Sequence, residues 1–421
     1  MNVYLVLFAL YILVPKLDLY AIGSAAIRPE DLVSAIAFAI YLLTGSKKLS
    51  LPGHAKVYLL FVGFGLISAM VNLAQGGVVG IVYGLRLAQY FTWFLIMYEA
   101  APRLSTRALR GTLLFVCAVF IIWGGAEYFG VIGRIGKFTG ATERLTINTS
   151  GPFETSAMLA MLAYAAPSFW STPFMVVLVF LTQARITLLG VLVSFAAARP
   201  GRAMALGIGG AIVVTIAAAP LYDAISKSRL AESETPAAMG RQLAYTWRHT
   251  PVVPRPSFYR ERFLQGVLIY RYMPTTRGDL SFKIRSVRWP IIIKSTAARW
   301  VTLFVGWGPG AWSNAVDGYY VRAFGESGLI GLAILLWWLV LAYRGLQAGS
   351  IGSFSLVLLA VAAFFIDIFT SSKAMPILWA FLALEHARHP FVYRHARPLF
   401  RFGRQQGADL DHQPGRPVPQ S

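Results

Sequence analysis

The chain has 421 residues, 57% of them hydrophobic and 13% charged, with a mean hydropathy of +0.59, which excludes a soluble globular domain. Its net charge of +20 is spread over the segments between apolar runs, which excludes a nucleic-acid-binding domain and leaves anionic lipids and phosphate-bearing substrates as partners. The single cysteine, Cys117, excludes an intrachain disulfide and a cysteine metal site and reads as small core filler.

Apolar runs divided by Gly, Pro and basic punctuation recur from residue 2 to residue 390, the pattern of an all-α polytopic membrane protein rather than of outer-membrane strands. The first run, MNVYLVLFALYILVP, has no basic residue ahead of it and no A-x-A cleavage pattern, so it reads as a retained helix. Spans are expected near residues 2–15, 30–44, 56–75, 78–100, 108–130, 152–168, 172–183, 186–198, 203–223, 320–343, 352–371 and 375–390, twelve in all. The first, seventh and eighth fall short of the roughly 17 to 25 residues a crossing needs, so they must tilt little, thin the bilayer or be shielded by neighbours.

This divides the chain into helices 1–9 over residues 1–223, one large loop over 224–319, helices 10–12 over 320–390, and an Arg-, Pro- and Gln-rich tail over 391–421 that reads as disordered. No internal repeat is visible. The loop carries 14 Lys plus Arg between residues 224 and 306 against four acids. Within it QGVLIY and RWPIIIK read as short amphipathic elements at the membrane surface, and AESETP as exposed loop.

Orientation follows from the Lys and Arg of the short loops. With the N-terminus inside, 15 basic residues fall on the cytoplasmic side, among them Lys47, Lys56, Arg103, Arg110, Arg202 and Arg344, against seven outside: Lys16, Arg28, Arg134, Lys137, Arg144, Arg185 and Lys373. The large loop then faces outward.

A charge in hydrocarbon costs several kcal/mol unless it serves a site or a partner, so ionisable residues within spans are informative. Arg86 lies on the order of 12 Å into the fourth span, at 1.5 Å per residue. It suits either a substrate or a buried ion pair with Asp18, Glu30 or Asp31. Arg185, in LTQARITLLG, and Arg144, in RLTINTSGPFETS, face the same side. A guanidinium donates two parallel charge-assisted hydrogen bonds to a phosphate and keeps its proton. The loop's preference for Arg is only that of the whole chain, so position carries the argument.

The strongest local signal is GWGPGAWSNAVDGYYVRAFGESGLIGL, residues 306–332, running from the loop into span ten. Gly306, Gly308, Pro309 and Gly310 make a tight turn; without a preceding strand it is no dinucleotide fingerprint. Asp317 stands just before the helix, where a carboxylate caps orphan amides or takes a proton from a hydroxyl. Asp367, in FFIDIFTSSKAMP of span eleven with Lys373 six residues on, suits a sugar contact or a helix–helix ion pair. His249, in WRHTPVVPRP, reads as an ordinary loop residue.

Four stretches taken in order resemble the bacterial O-antigen ligases and Wzy-type O-antigen and exopolysaccharide polymerases: Arg144 with GPFETSAML, the LTQAR turn ending at Arg185, RSVRW at 285–289, and the GWGPG…DGYYVRAFGESGLIGL block. The resemblance implies a class C glycosyltransferase-like fold in a bacterial inner membrane, its active site facing the periplasm. It also implies an undecaprenyl-diphosphate-linked oligosaccharide as donor and no cofactor or metal. Carried over residue by residue, Asp317, Arg185 and Arg285 would be catalytic. Arg86, Arg144, Arg288, Glu154, Tyr320, Asp367 and Lys373 would bind substrate.

Counting back eleven residues from Gly328 places Asp317 and Gly318 where the ligases carry histidine and asparagine. That departure favours a polymerase of repeat units over a ligase delivering finished glycan to lipid A core. A flippase of lipid-linked oligosaccharides would also gather arginines around a diphosphate, but such folds show two related halves, which the long loop makes unlike here. A chain-length regulator and the flippase of the same pathway are the implied protein partners.

Overall fold

The computed structural model describes residues 3–22, 25–45, 50–134, 144–198, 236–257, 271–272, 280–312 and 316–388. The first eight helices are α1 (Val3–Leu13), α2 (Pro29–Thr44), α3 (Gly53–Val71), α4 (Leu73–Ala100), α5 (Thr106–Tyr128), α6 (Pro152–Ala165), α7 (Ser171–Leu181) and α8 (Arg185–Ala198). A small antiparallel hairpin of β1 (Tyr20–Ile22) and β2 (Ala25–Ile27) joins α1 to α2, with Ala21 opposite Ala26. Then come α9 (Pro236–His249), α10 (Leu280–Ala297), α11 (Trp300–Val305), α12 (Tyr319–Arg344), α13 (Ile351–Ala362) and α14 (Ala374–Arg388).

Eleven of the twelve expected spans thus coincide with helices, and the twelfth, at 203–223, lies outside the described residues, as does QGVLIY. Among the described residues, four helices are long and apolar enough to cross a membrane: Gly53–Val71, Val78–Arg103, Thr106–Tyr128 and Tyr319–Arg344. Their surroundings are apolar on the outside as well. Phe115, Ile122, Phe180 and Trp337 are exposed at 59%, 73%, 56% and 51%, the dress of a bundle whose solvent is lipid.

The core of the bundle is aromatic. Tyr58 of α3, Phe91 and Phe94 of α4, Trp338 of α12 and Trp379 of α14 meet edge to face or tilted, with ring centroids 4.5 Å apart for Tyr58 and Trp379 and 4.9 Å for Phe91 and Trp379. Cys117 is buried among the α5 core residues, as expected of filler.

The eleventh expected span, 352–371, ends as helix at Ala362. The apolar text continues, but the segment from 363 to 373 is irregular, because its polar groups bind other elements in place of a helical ladder. The described parts of the large loop are largely helical: RWPIIIK belongs to α10, which keeps Pro290 inside it. Val253, Val287, Ile291, Ile292, Trp307 and Trp312 form a second, smaller core beneath α9 and α10.

The Gly-rich turn sits where α12 is broken. Gly328 has φ +65° and ψ −165°, which interrupts the helix, and a Cβ there would lie 2.3 Å from the Phe304 carbonyl carbon. The Trp307 and Gly308 amides donate to the freed carbonyls of Gly325 and Glu326 at 3.0 and 2.8 Å. Gly306, at φ +79°, approaches the Glu326 backbone as closely, so these two positions require glycine. The Ser68 hydroxyl lies 2.7 and 2.8 Å from the carbonyls of Val305 and Glu326, tying α3 to the break.

Candidate functional site

One end of the bundle collects the C-terminus of α1, the N-termini of α2, α6, α8 and α12, and the 363–373 segment. Hydrogen bonds fix this grouping. The Lys16 amide donates to the Asn148 carbonyl at 2.9 Å, and the Asn148 amide group donates to Ile12 at 2.6 Å. The Thr146 amide donates to Glu127 of α5 at 2.8 Å, and Leu145 donates to Leu181 at the end of α7. At the opposite end Arg110 reaches the Pro167 carbonyl, and Tyr164 that of Gly349. The loops assigned to outside and inside by charge therefore separate to opposite ends.

Between these termini opens a cavity of about 300 Å³. Four cations line it, Lys16, Arg28, Arg86 and Arg322, and four carboxylates, Glu154, Asp317, Glu326 and Asp367, with Tyr83 and Tyr90 of α4. Each cation is matched. Lys16 lies 2.7 Å from Glu154, Arg28 3.0 Å from Asp18, Arg86 3.4 Å from Asp31, and Arg322 3.0 and 3.3 Å from Glu326 and Asp367. Arg86 also donates to the Ala26 carbonyl on β2, so it makes the ion pair anticipated from its depth while still facing the cavity.

Asp317 is the focus. It has φ +59°, a left-handed conformation unusual for a residue with a Cβ, in the loop that follows Val316. Gly318, not Asp317, is the N-cap residue of α12, and no side chain caps it, so the capping role open to Asp317 from sequence is not the one it plays. Its carboxylate instead accepts from Arg288 of α10 at 3.0 Å, and its side chain remains 34% exposed toward the cavity. Its backbone carbonyl accepts from the Trp289 indole at 3.1 Å. Burial raises the carboxyl above its ordinary range, Arg285 and Arg288 work against that, and Asp367 adds to it.

Asp367 holds the loop below. Its carboxylate accepts from the amides of Val316 at 2.6 Å and of Asp317 and Gly318 at 3.3 Å each. Successive amides of this kind form a concavity for an anion. Arg322, 1% exposed, closes the far side and places its guanidinium 5.7 Å from the Tyr83 ring centre. Glu326 in turn accepts from the Gly310 amide at 2.8 Å, linking the Gly-rich turn to the same network.

The ion pair open to Asp367 forms, with Arg322 of α12 at 3.3 Å and not with Lys373. Lys373 is fully buried and donates to the carbonyls of Tyr11 and Val14 at 2.7 and 2.5 Å, so it caps the C-terminus of α1, where a cation meets the negative end of the helix dipole. Burial lowers its pKa to about 8 against the pull of Glu30 and Glu154. Ser371 and the Lys373 amide bind Glu154 at 2.5 and 3.2 Å, and Ser372 binds Glu30 at 2.9 Å. Asp367, Ser371, Ser372 and Lys373 thus each anchor a different element, while the Thr370 hydroxyl donates to the Asp367 carbonyl of its own segment.

Of the residues picked out by sequence, Arg86, Glu154, Asp317 and Asp367 line the cavity, Arg288 touches it through Asp317, and buried Arg285 acts on the same carboxylate. Arg144 places its fork on the carbonyls of Thr182 and Gln183 at 3.0 and 3.3 Å, steadying the turn that ends at Arg185. Arg185 is half-buried at the start of α8, at the cavity's end of the bundle but not among its described lining residues. Tyr320 faces away, its hydroxyl donating to Ala360 at 2.9 Å. His249 ends α9, its Nδ1 2.7 Å from the Tyr245 carbonyl.

Sequence reasoning passed over Arg322, Glu326, Lys16 and Arg28. The spacing of Arg322 and Glu326, four apart at the start of a span, is the signal that was available. Among the described residues no three His, Cys, Asp or Glu side chains gather as a metal site. Neither a protein-family model nor a curated protein sequence matches the chain.

Proposed function

We propose that this chain is a twelve-span polymerase of a bacterial inner membrane, joining undecaprenyl-diphosphate-linked oligosaccharide units into exopolysaccharide or O-antigen at the periplasmic face. The observation that carries the reading is Asp317: a strained, uncapping carboxylate, paired with Arg288 at 3.0 Å and open to a polar cavity at the end of an apolar bundle.

In this reading an acceptor sugar hydroxyl lies against Asp317, which takes its proton as the oxygen attacks the donor's anomeric carbon. The bond from that carbon to the diphosphate breaks in the same displacement, inverting the centre and releasing undecaprenyl diphosphate. The carboxylate's raised pKa makes it a stronger base than an ordinary aspartate. Arg288 and Arg285 stabilise the developing charges beside it, and Arg185 and Arg86 supply further guanidinium groups at the same end. Arg28, whose pair with Asp18 is more exposed than those of Lys16, Arg86 and Arg322, is the cavity cation that turns most readily to a phosphate.

The test is fractionation of a deletion strain. Single repeat units stranded on the outer leaflet, restored to polymer by the native gene but not by Asp317→Asn, are the expected result. Units trapped inside indicate a flippase, and finished polymer still on its lipid indicates a ligase.

A further inference from the structure

Helix α9 buries a stripe of uncharged polar residues and exposes aromatic rings beside its arginines. Gln242, Thr246 and Thr250, one helical turn apart, are buried at 6%, 0% and 2%, whereas Tyr245 and Trp247 are exposed at 48% and 44%. The donors of this stripe find partners: Gln242 donates to Ser286 of α10 at 3.2 Å, and the hydroxyls of Thr246 and Thr250 donate to the carbonyls of Gln242 and Thr246 at 3.0 and 2.7 Å, while the Gln242 side-chain oxygen is buried without a partner among the described residues.

A second aromatic face adjoins it. Lys294 of α10 donates to the Trp247 carbonyl at 3.1 Å, and Ser295 accepts from the Val253 amide at 2.9 Å, so the end of α9 lies beside the end of α10 that leads into α11. There Trp300, Val301 and Phe304 are exposed at 77%, 59% and 42%, with the two rings stacked 6.2 Å apart. The backbone of α11 rests on Gly328 of α12, and the next two residues of that span, Leu329 and Ile330, are exposed at 42% each. The aromatic face therefore continues into the lipid-facing side of a membrane-crossing helix. Arg241, Arg248 and Arg299 are exposed on the same elements and match phosphate in charge.

We propose that the outer faces of α9 and α11 dock on the phospholipid headgroups of the bilayer the bundle crosses, with Tyr245, Trp247, Trp300 and Phe304 at the depth where amphipathic rings settle. The layer that carries Arg285 and Arg288 is thereby held at the membrane surface from two sides, by α12 and by lipid.

Nitroxide labels on the full chain test this in vesicles of phosphatidylethanolamine and phosphatidylglycerol. They are placed one at a time at Tyr245→Cys, Trp247→Cys and Trp300→Cys in a Cys117→Ala background, with Ala348→Cys as the aqueous reference and Trp337→Cys as the lipid reference. The expected result is a loss of about fivefold in collision with a water-soluble nickel chelate relative to Ala348→Cys, with oxygen collision rising toward that of Trp337→Cys. Labels that meet the chelate as freely as Ala348→Cys overturn the proposal, as does dipolar broadening showing that a second copy of the chain covers the face. The three labels sit in separate proteins on two helices, so a variant that fails to fold leaves the others to decide.

Discussion

Asp317 holds a left-handed backbone conformation that costs a residue with a Cβ about 1–2 kcal/mol, and three amides bound by Asp367 keep it there. Replacing it by Asn preserves the shape and removes the base proposed above. Polymer formation by purified protein is expected to fall about 10²- to 10⁴-fold for Asp317→Asn, with little change in thermal stability. Native activity should decline on acidification at a higher pH than an ordinary aspartate would impose, since the base works only as carboxylate. Arg288→Ala removes a group that favours that charged form, so its acid limb should move to higher pH still, read from pH–rate profiles of the two proteins. Asp367→Asn acts differently: it leaves Arg322 buried with one partner fewer, and a loss of about 3–5 kcal/mol in unfolding stability is expected. Both aspartates were legible in the sequence because an acid in apolar or Gly-rich text has few innocent explanations. Their partners were not: Lys373 stands close to Asp367 in the sequence and Arg322 lies 45 residues away, yet packing joins Asp367 to the distant one.

At the level of elements, helix length and position were readable from hydropathy, because a spanning helix needs a continuous apolar run. The end of α13 at Ala362 was not, since FFIDIF reads as more helix until Asp367 is seen to serve amides of another segment. The break in α12 was also hidden: a glycine inside a span is common in membranes and rarely marks an interruption. The structure makes a graded prediction here. Gly328→Ala places a Cβ 2.3 Å from backbone at a left-handed φ and should prevent the Gly-rich turn from docking. Gly130→Ala, equally left-handed at φ +71° but facing open space, should cost only about 1–2 kcal/mol. Thermal midpoints in detergent would separate the two. Equal losses would show that conformation alone, and not contact between the turn and α12, governs both sites.

Across the whole molecule, the loops that basic residues assigned to opposite sides do lie at opposite ends, which gives the topology a direct check. Cysteines placed at Arg134 and Arg185 should react with an impermeant maleimide added to cells, while cysteines at the exposed positions Arg107 and Ala348 should react only after the membrane is opened. Arg185 and Ala348 labelling from the same side would end the proposed orientation. How far the large loop is ordered lay beyond the sequence, whose amphipathic stretches there are short; it is α9 and α10, packed over their own small core, that bring Arg288 to Asp317.

The cavity's four cations and four carboxylates leave it without a net field, although the chain as a whole carries +20. Such a site does not pull an anion through solution, because electrostatic steering needs an unbalanced potential. The donor proposed above, tethered by a polyprenyl tail, has no need of it, since its search is confined to two dimensions. Turnover should accordingly change little with ionic strength, whereas dilution of the donor among other lipids should slow it in proportion.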